Sequence, residues 1–252
     1  MKQVRKPFQG VLNIIRFNWH FYIIALCLVL VMFYTSGYFE NPYTSFIYIF
    51  GVLVLGSIIF SLFTSLYIYD LSGLYSLYWI DQNSKDNIIV NINAGFDETS
   101  YLLQDKFKNS ELIALDFYDP EKHTEVSIKR ARKAYPPFPK TKQIKTSNTE
   151  LADNSADIIF VILSAHEIRN ENERTAFFNE LKRVIKPKGL IYVTEHLRDL
   201  PNFLVYNIGS FHFHTRASWL KTFNDAHLKI RQEIKLTPFI STFILDKNGN
   251  TH

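Results

Sequence analysis

Residues 151–196 read LADNSADIIFVILSAHEIRNENERTAFFNELKRVIKPKGLIYVTEH. DIIFVIL (157–163) is an unbroken apolar run of strand length, the pattern of a strand covered on both faces. A helix is predicted over roughly 171–185, and GLIYVTEH (189–196) is a second strand. The same alternation extends upstream: IIVNI (88–92), a helix over about 98–107, ELIALDF (111–117), a helix over 120–134 and a short strand near 142–146. Downstream come a helix over 216–225 and two strands, LKIRQEI (228–234) and FISTFILD (239–246), on either side of Thr237-Pro238. Strands that alternate with helices build βαβ units and a parallel sheet with helices on both faces. The expectation is an α/β domain over 87–252, doubly wound and mostly parallel, with an antiparallel hairpin at its end.

The first third differs in kind. FYIIALCLVLVMF (21–33) continues its apolar character to Phe39, and a second run extends from Phe46 to Leu71 with only Ser, Thr and Gly as polar members before Asp70. A bilayer core takes about 20 apolar residues of helix, and each run is that long. They are read as a transmembrane hairpin over 1–70, with spans of about 17–38 and 46–69. Gly37, Asn41 and Pro42 form the turn. Lys2, Arg5, Lys6 and Arg16 precede the first span and the turn has no Lys or Arg, which puts the N-terminus and the α/β domain in the cytoplasm. The expected location is a bacterial inner membrane. Trp19, Tyr22, Tyr38, Tyr43 and Tyr69 lie near the span ends as an aromatic belt would. Leu71, Leu74, Tyr75, Tyr78 and Trp79 recur at helical spacing, so 71–86 is predicted as an amphipathic helix on the membrane surface or on the domain.

The 252 residues carry a net charge of +4, with bases interspersed among acids, which does not point to a nucleic-acid partner. The one cysteine, Cys27, excludes an intrachain disulfide and Cys-based metal centres. Nothing in the sequence gives an oligomeric state.

In open α/β sheets ligands bind at the carboxyl ends of the strands. VNINAGFDE (90–98) is a strand, a loop with Gly95 and the start of a helix, where a nucleotide-type ligand meets a helix N-terminus. Asp116 ends the next strand, where an acid accepts from ribose hydroxyls, or else it caps a loop. Ser164-Ala165-His166-Glu167 follows DIIFVIL, and a histidine beside a carboxylate there suits acid–base work.

Asp153, Ser155 and Asp157, then Glu180, Arg183, Val184, Ile185, Lys186, Pro187, Lys188 and Gly189, together resemble two patterns of one family. These are the D-x-S-F-D entry to a fourth strand and E-x-x-R-V-L-K-P-G-G before a fifth. The family is the class I S-adenosylmethionine-dependent methyltransferases, with a Rossmann-like fold, and the similar branch includes quinone- and sterol-modifying enzymes. ALDFYDPEKHTEVSIKRAR (114–132) resembles the family's second strand and following helix. The resemblance covers about 88–246. It implies S-adenosylmethionine as cofactor and the following site. Asn91, Asn93, Gly95 and Asp97 contact its methionine part, Asp116 the ribose, and Phe117 the adenine face. Ser147, Asn148 and Thr149 lie near the adenine edge, and Ser164 near the sulfonium. Where the family has D-x-G-x-G-x-G this chain has Asn91, Asn93, Gly95 and Asp97, so only the central glycine is kept.

Methyl transfer from a sulfonium is an in-line displacement, and a base helps when the acceptor must lose a proton. His166 is the expected base, with His212 or His214 second and Glu167 and Glu195 as further carboxylates. FLVYNIGSFHFHTR (203–216) is read as substrate cover, and no metal is expected from its two histidines. The implied activity is O- or C-methylation of a lipophilic or amphipathic small molecule at the bilayer. The alternatives are a cofactor-free version of the fold that acts as a binding or scaffold subunit, and a membrane subunit whose two helices carry the function. The spans hold no intramembrane charge, which argues against conduction.

Overall fold

The computed structural model describes residues 5–80 and 87–247. The chain divides into two compact units, Arg5–Ser72 and the portion from Gly73 onward.

The first unit is a helical hairpin, α1 (Gln9–Ser36) and α2 (Tyr43–Leu66); α2 lies within three residues of its predicted span at both ends, whereas α1 starts eight residues before its predicted span. Both helices are long and apolar enough to cross a membrane, and only 11% and 6% of their most apolar windows are buried. Hydroxyls on the helices turn back onto their own backbone, as Thr35 Oγ1 does to the Val31 carbonyl and Ser57 Oγ to that of Val54. Close approach is set by glycine: a Cβ on Gly51 would lie 2.3 Å from the Phe33 ring. A turn of π-helix, Tyr67–Leu71, extends α2 and carries Asp70. The Asp70 carboxylate accepts from the Gly10 and Val11 amides at 2.8 and 2.9 Å. It thereby caps the start of α1, where no residue at the helix's own end does so. Arg5 donates to the Tyr69 carbonyl at 3.0 Å and lies 3.9 Å from Asp70.

The second unit begins with a correction. The continuous amphipathic helix expected over 71–86 does not form in its described part. Gly73 and Leu77 adopt φ of +79° and +56°, which no helix accommodates, and only Leu74–Ser76 makes a short 3-10 turn. Leu74, Leu77, Trp79 and Ile80 are buried, the Trp79 indole donates to the Leu74 carbonyl, and Tyr75 donates to Glu98 at 2.7 Å. The remainder, 81–86, lies outside the described residues.

Seven strands then form one sheet in the order β3-β2-β1-β4-β5-β7-β6. They are β1 (Ile88–Asn93), β2 (Glu111–Asp116), β3 (Lys142–Gln143), β4 (Ala156–Ile162), β5 (Ile185–His196), β6 (Lys229–Thr237) and β7 (Ile240–Asp246). The first five are parallel, β7 is inserted antiparallel beside β5, and β6 pairs outside it. The predicted parallel sheet with an antiparallel C-terminal hairpin is therefore present. The helices are α3 (Ser100–Lys106), α4 (Val126–Ala134), α5 (Glu171–Val184), α6 (Leu200–Tyr206) and α7 (Arg216–Asp225). α4 starts six residues later than predicted, because Asp119 and Pro120 open a turn in which His123 Nδ1 accepts from the Asp119 amide. α6 lies in the region that the sequence left as cover.

Val90, Ile92, Ile159, Val161, Ile191 and Val193 of the central strands are buried against Phe177, Phe178 and Leu181 of α5 and Trp219 and Phe223 of α7. Burying each such side chain contributes about 1.5–3 kcal/mol. Strand order reverses between β1 and β4, and the loops after β1, β2, β4 and β5 meet at that end of the sheet.

Candidate functional site

The end of β1 is built by hydrogen bonds where glycines are missing. Asn93 is buried; its amide donates to the Leu115 carbonyl of β2 at 3.1 Å, and its Oδ1 accepts from the Gly95 amide at 3.0 Å. That Asx-type turn delivers the chain to Gly95, whose φ of +98° favours glycine. Asp97 Oδ1 accepts from the Thr99 and Ser100 amides at 3.0 and 2.9 Å and so caps α3. The Asn91 amide donates to Thr99 and Ser100 hydroxyls at 3.0 and 2.8 Å. Two acceptors stay unspent: Asp97 Oδ2 and Asn91 Oδ1 are buried without a hydrogen-bond partner among the described residues. A buried acceptor left bare costs about 1–3 kcal/mol, so this pair is poised for a donor, above all a cationic one.

At the end of β2, Asp116 is buried and already engaged. Its Oδ1 accepts from the Tyr118 amide at 2.8 Å, and its Oδ2 holds Arg132 of α4 at 2.6 Å. The Arg132 guanidinium lies over the Tyr118 ring, 4.2 Å from its centre, and reaches toward the Gly95 carbonyl at 3.4 Å. It thus fills the space between the β1 loop and the acid of β2. Beyond it lies a groove of about 380 Å³ bounded by Phe117, Tyr118, His123, Ile144, Thr146 and Ser147. Of the three residues predicted at its edge, only Ser147 borders it. Thr149 instead turns its amide and hydroxyl onto Glu180, both at 2.7 Å, and the Asn148 side chain accepts from the Glu150 amide. Phe117 is buried, with its ring against Phe177 and His123.

The ends of β4 and β5 carry most of the titratable groups. Ser164 is buried; its hydroxyl donates to the Ile92 carbonyl and its amide to Glu195, so it ties β4 to β1 and β5. Glu195, fully buried, receives His166 Nδ1 at 2.6 Å. His166 Nε2 and His212 Nε2 both approach Glu167 Oε1, at 3.4 and 3.2 Å, and His212 Nδ1 lies 2.9 Å from Glu125. Arg169 packs on the His212 ring edge and reaches Glu125 at 3.6 Å and Glu167 at 3.8 Å.

Burial alone would lower His166, but Glu195 first and Glu167 next outweigh it and raise its pKa to about 10. His212 is likewise raised, against burial, by Glu125 and Glu167. Glu167 is pushed far below the usual carboxylate range: burial opposes this, and the two imidazoles overcome it. At neutral pH His166 is therefore an imidazolium, a donor where the sequence predicted a base.

His214 is not brought into this chain of groups. Its Nε2 faces the buried Arg174 at 3.2 Å and its ring stands edge-on to Trp219, and burial followed by the Arg174 charge lowers it to about 4. Arg174 also donates to the Ile168 carbonyl, Thr222 and Ser218, so His214 belongs to a structural knot between α5 and α7. Glu125, Arg132, Arg169 and His196 were missed from sequence. His196 stacks on Phe213 at 4.8 Å and lies 3.0 Å from Asn202, and burial lowers it to about 4.

Comparison with known proteins agrees with this architecture. Residues 91–193 match the family model described as a methyltransferase domain. Among solved structures, an S-adenosylmethionine-dependent methyltransferase from Aquifex aeolicus is similar at 16% identity and TM-score 0.49, covering 70% of this chain and 93% of that one. Geranyl diphosphate C-methyltransferase from Streptomyces coelicolor A3(2), solved with Mg2+, geranyl diphosphate and S-adenosyl-L-homocysteine, matches at 12% identity and TM-score 0.50, over 70% and 79%. An O-methyltransferase family 2 protein from Planctomyces limnophilus, in complex with apigenin, matches at 9% identity and TM-score 0.50, over 76% and 61%. No curated protein matches the chain in sequence.

The unit from Gly73 onward has the class I S-adenosylmethionine-dependent methyltransferase fold. S-adenosylmethionine is the cofactor of that domain, and the residues here fit it. The bare acceptors of Asp97 and Asn91 complement its ammonium group, and the groove beside Phe117 complements a flat ring.

Proposed function

We propose that this chain is a membrane-anchored methyltransferase that transfers the methyl group of S-adenosylmethionine to an oxygen or carbon of a lipophilic or amphipathic small molecule, of the quinone or sterol-like kind. The observation that carries methyl transfer is the pair of unspent buried acceptors at the end of β1. Asp97 and Asn91 would hold the methionine ammonium, Gly95 lets the backbone approach, and Asp116 would accept from the ribose once Arg132 withdraws. The cofactor, when bound, supplies an electrophilic methyl group.

This chain's own residues then position the acceptor and keep water out. His166 and His212 stand on the same rim, with their ring nitrogens held by Glu195, Glu167 and Glu125. Ser164 sets the β4 loop by its bonds to Ile92 and Glu195.

The acceptor class rests on the hairpin. Apolar side chains such as Phe21, Ile24, Leu28, Val52, Leu53 and Phe63 remain exposed along both helices, as lipid-facing residues would. Tethering a domain to the bilayer raises its effective concentration toward membrane-dissolved acceptors. Two structural neighbours name hydrophobic small molecules, geranyl diphosphate and apigenin, in keeping with such an acceptor. The basic N-terminus supports a cytoplasmic domain, at a bacterial inner membrane.

Membranes containing the protein, incubated with methyl-labelled S-adenosylmethionine, should yield label in the solvent-extractable fraction. Label confined to water-soluble products would overturn the acceptor class. No calorimetric affinity for S-adenosylmethionine or its demethylated product would favour the scaffold alternative.

A further inference from the structure

The two histidines of the β4 rim share one arrangement. Each gives its Nδ1 to a carboxylate, His166 to Glu195 at 2.6 Å and His212 to Glu125 at 2.9 Å. Each turns its Nε2 toward the same oxygen, Glu167 Oε1, at 3.4 and 3.2 Å. The three candidate ligand atoms all lie within 4.8 Å of one another. Imidazoles that bind a metal through one nitrogen nearly always hand the other to a carboxylate or carbonyl, which fixes the tautomer and aims the ring. Here both do so, and the two carboxylates come from distant parts of the chain.

The spacing fits as well. Two donors each about 2.0–2.1 Å from an ion, at tetrahedral or octahedral angles, stand roughly 3–3.4 Å apart. The two histidine–glutamate distances fall in or at that range, and an ion bound between them would have to displace the Arg169 guanidinium, whose Nη2 lies 2.7 Å from His212 Nε2. Charge is conserved as well: Glu125, Glu167 and Glu195 balance Arg169 and the two imidazolium ions, and a divalent ion would displace one proton from the Nε2 of each imidazole, which leaves the set neutral. The Glu167 and His212 side chains are 18% and 25% exposed, which leaves a route in from solvent.

We propose that His166, Glu167 and His212 form a binding site for a divalent transition-metal ion, with Glu195 and Glu125 orienting the two imidazoles. Two nitrogens and one carboxylate select the zinc, iron, cobalt and manganese class over magnesium or calcium, which take oxygen shells. Three protein ligands leave positions open for water or an acceptor oxygen. The sequence pointed away from this site because it weighed His212 with His214, two residues apart, while the fold pairs His212 with His166.

The test uses the full-length protein in detergent, with any affinity tag removed and metal stripped by a chelator. Titration with Zn2+ in a calorimeter should show one equivalent bound per chain, and Co2+ should give a ligand-field absorption band. Glu167→Gln and His212→Ala should each weaken Zn2+ binding at least tenfold and shift or abolish the Co2+ band. Glu125→Gln should weaken it about 10- to 100-fold through orientation of His212. His227→Ala, on an exposed residue away from the cluster, should change nothing. Thermal unfolding of each variant reports that it is folded, and His212 and Glu125 are exposed enough for their replacement to be tolerated. Absence of Zn2+ binding and of a Co2+ band in folded wild type would overturn the proposal. So would binding that is unchanged in Glu167→Gln and His212→Ala. Either result leaves the cluster as imidazolium ions held by carboxylates.

Discussion

The two halves of the strand-end rim solve different problems with different materials. At β1 and β2 the work is done by backbone shape and by polar side chains spent on local turns, with Asn93 under Gly95, Asp97 on α3 and Asp116 on Tyr118. At β4 and β5 it is done by ionisable side chains that face one another, from Glu195 through His166, Glu167 and His212 to Glu125. The first half shapes a receptacle for a molecule that brings its own charge. The second half stores charge of its own.

If the second half is a charge relay held by burial, its innermost member should be the most costly to remove. Glu195→Ala leaves His166 buried beside a lost partner, and removing one member of a buried ion pair costs about 3–5 kcal/mol. A drop of that size in chemical-denaturation stability is expected, the largest effect of any substitution considered. A loss under about 1 kcal/mol would mean that His166 is neutral and the comparison between the halves is wrong.

The first half predicts a loss of ligand without a loss of fold. Asp97→Asn keeps one side-chain oxygen for the α3 cap and replaces the bare acceptor with a donor. Hydrogen bonds to charged groups are worth about 1.5–3 kcal/mol, so affinity for S-adenosylmethionine should fall by about 10- to 150-fold in calorimetry, with little change in unfolding temperature. Unchanged affinity would remove the methionine-ammonium role from Asp97.

Arg132 sharpens the contrast, because its cation occupies the ligand's path. Cofactor entry must break its pair with the buried Asp116, and because the Arg132 side is 35% exposed and solvated the pair is worth about 1 kcal/mol. Arg132→Ala should therefore tighten S-adenosylmethionine binding by about fivefold. A weakening would show that Arg132 is itself a ligand to the cofactor.

Much of the fold was legible in the sequence because the residues with the clearest pattern are structural. Arg183 donates to Glu180 and to the Leu151 carbonyl, Lys186 and the Ile88 amide converge on Asp157, and a Cβ on Gly189 would sit 2.7 Å from the Asp157 carbonyl. These contacts lock β4 to β5 and β1, so the motif reports the sheet and says little about the ligand. The cofactor loop was legible in part: Gly95 and the turn at Asn93 follow from backbone preference, whereas Arg132 reaches Asp116 across sixteen residues that no local pattern couples. The acceptor side was least legible. His166 and Glu167 are adjacent, but Glu125, Glu195 and His212 join them only through the folding of three separate segments of the chain. The segment after the hairpin failed for a related reason. Helical spacing of Leu71, Leu74, Tyr75, Tyr78 and Trp79 carried no sign that Leu77 would take a left-handed φ.

The smallest expected effect tests whether the cofactor half spends its carboxylates on structure. Glu180 accepts from the amide and hydroxyl of Thr149 and from Arg183, all at 2.7 Å, and so anchors the loop that brings Ser147 to the groove. Arg183 first, then the Thr149 bonds against a burial penalty, lower its pKa to about 2. The group is depressed in the folded state, so its contribution is complete above the unfolded value near 4.5 and is lost as pH falls through about 2. Wild type should exceed Glu180→Gln in urea midpoint at pH 6, and the gap should shrink steadily below pH 4.5. A gap that is constant with pH would mean that the Glu180 carboxylate is held by shape alone, and that the cofactor half, like the acceptor half, keeps its charges for the ligand.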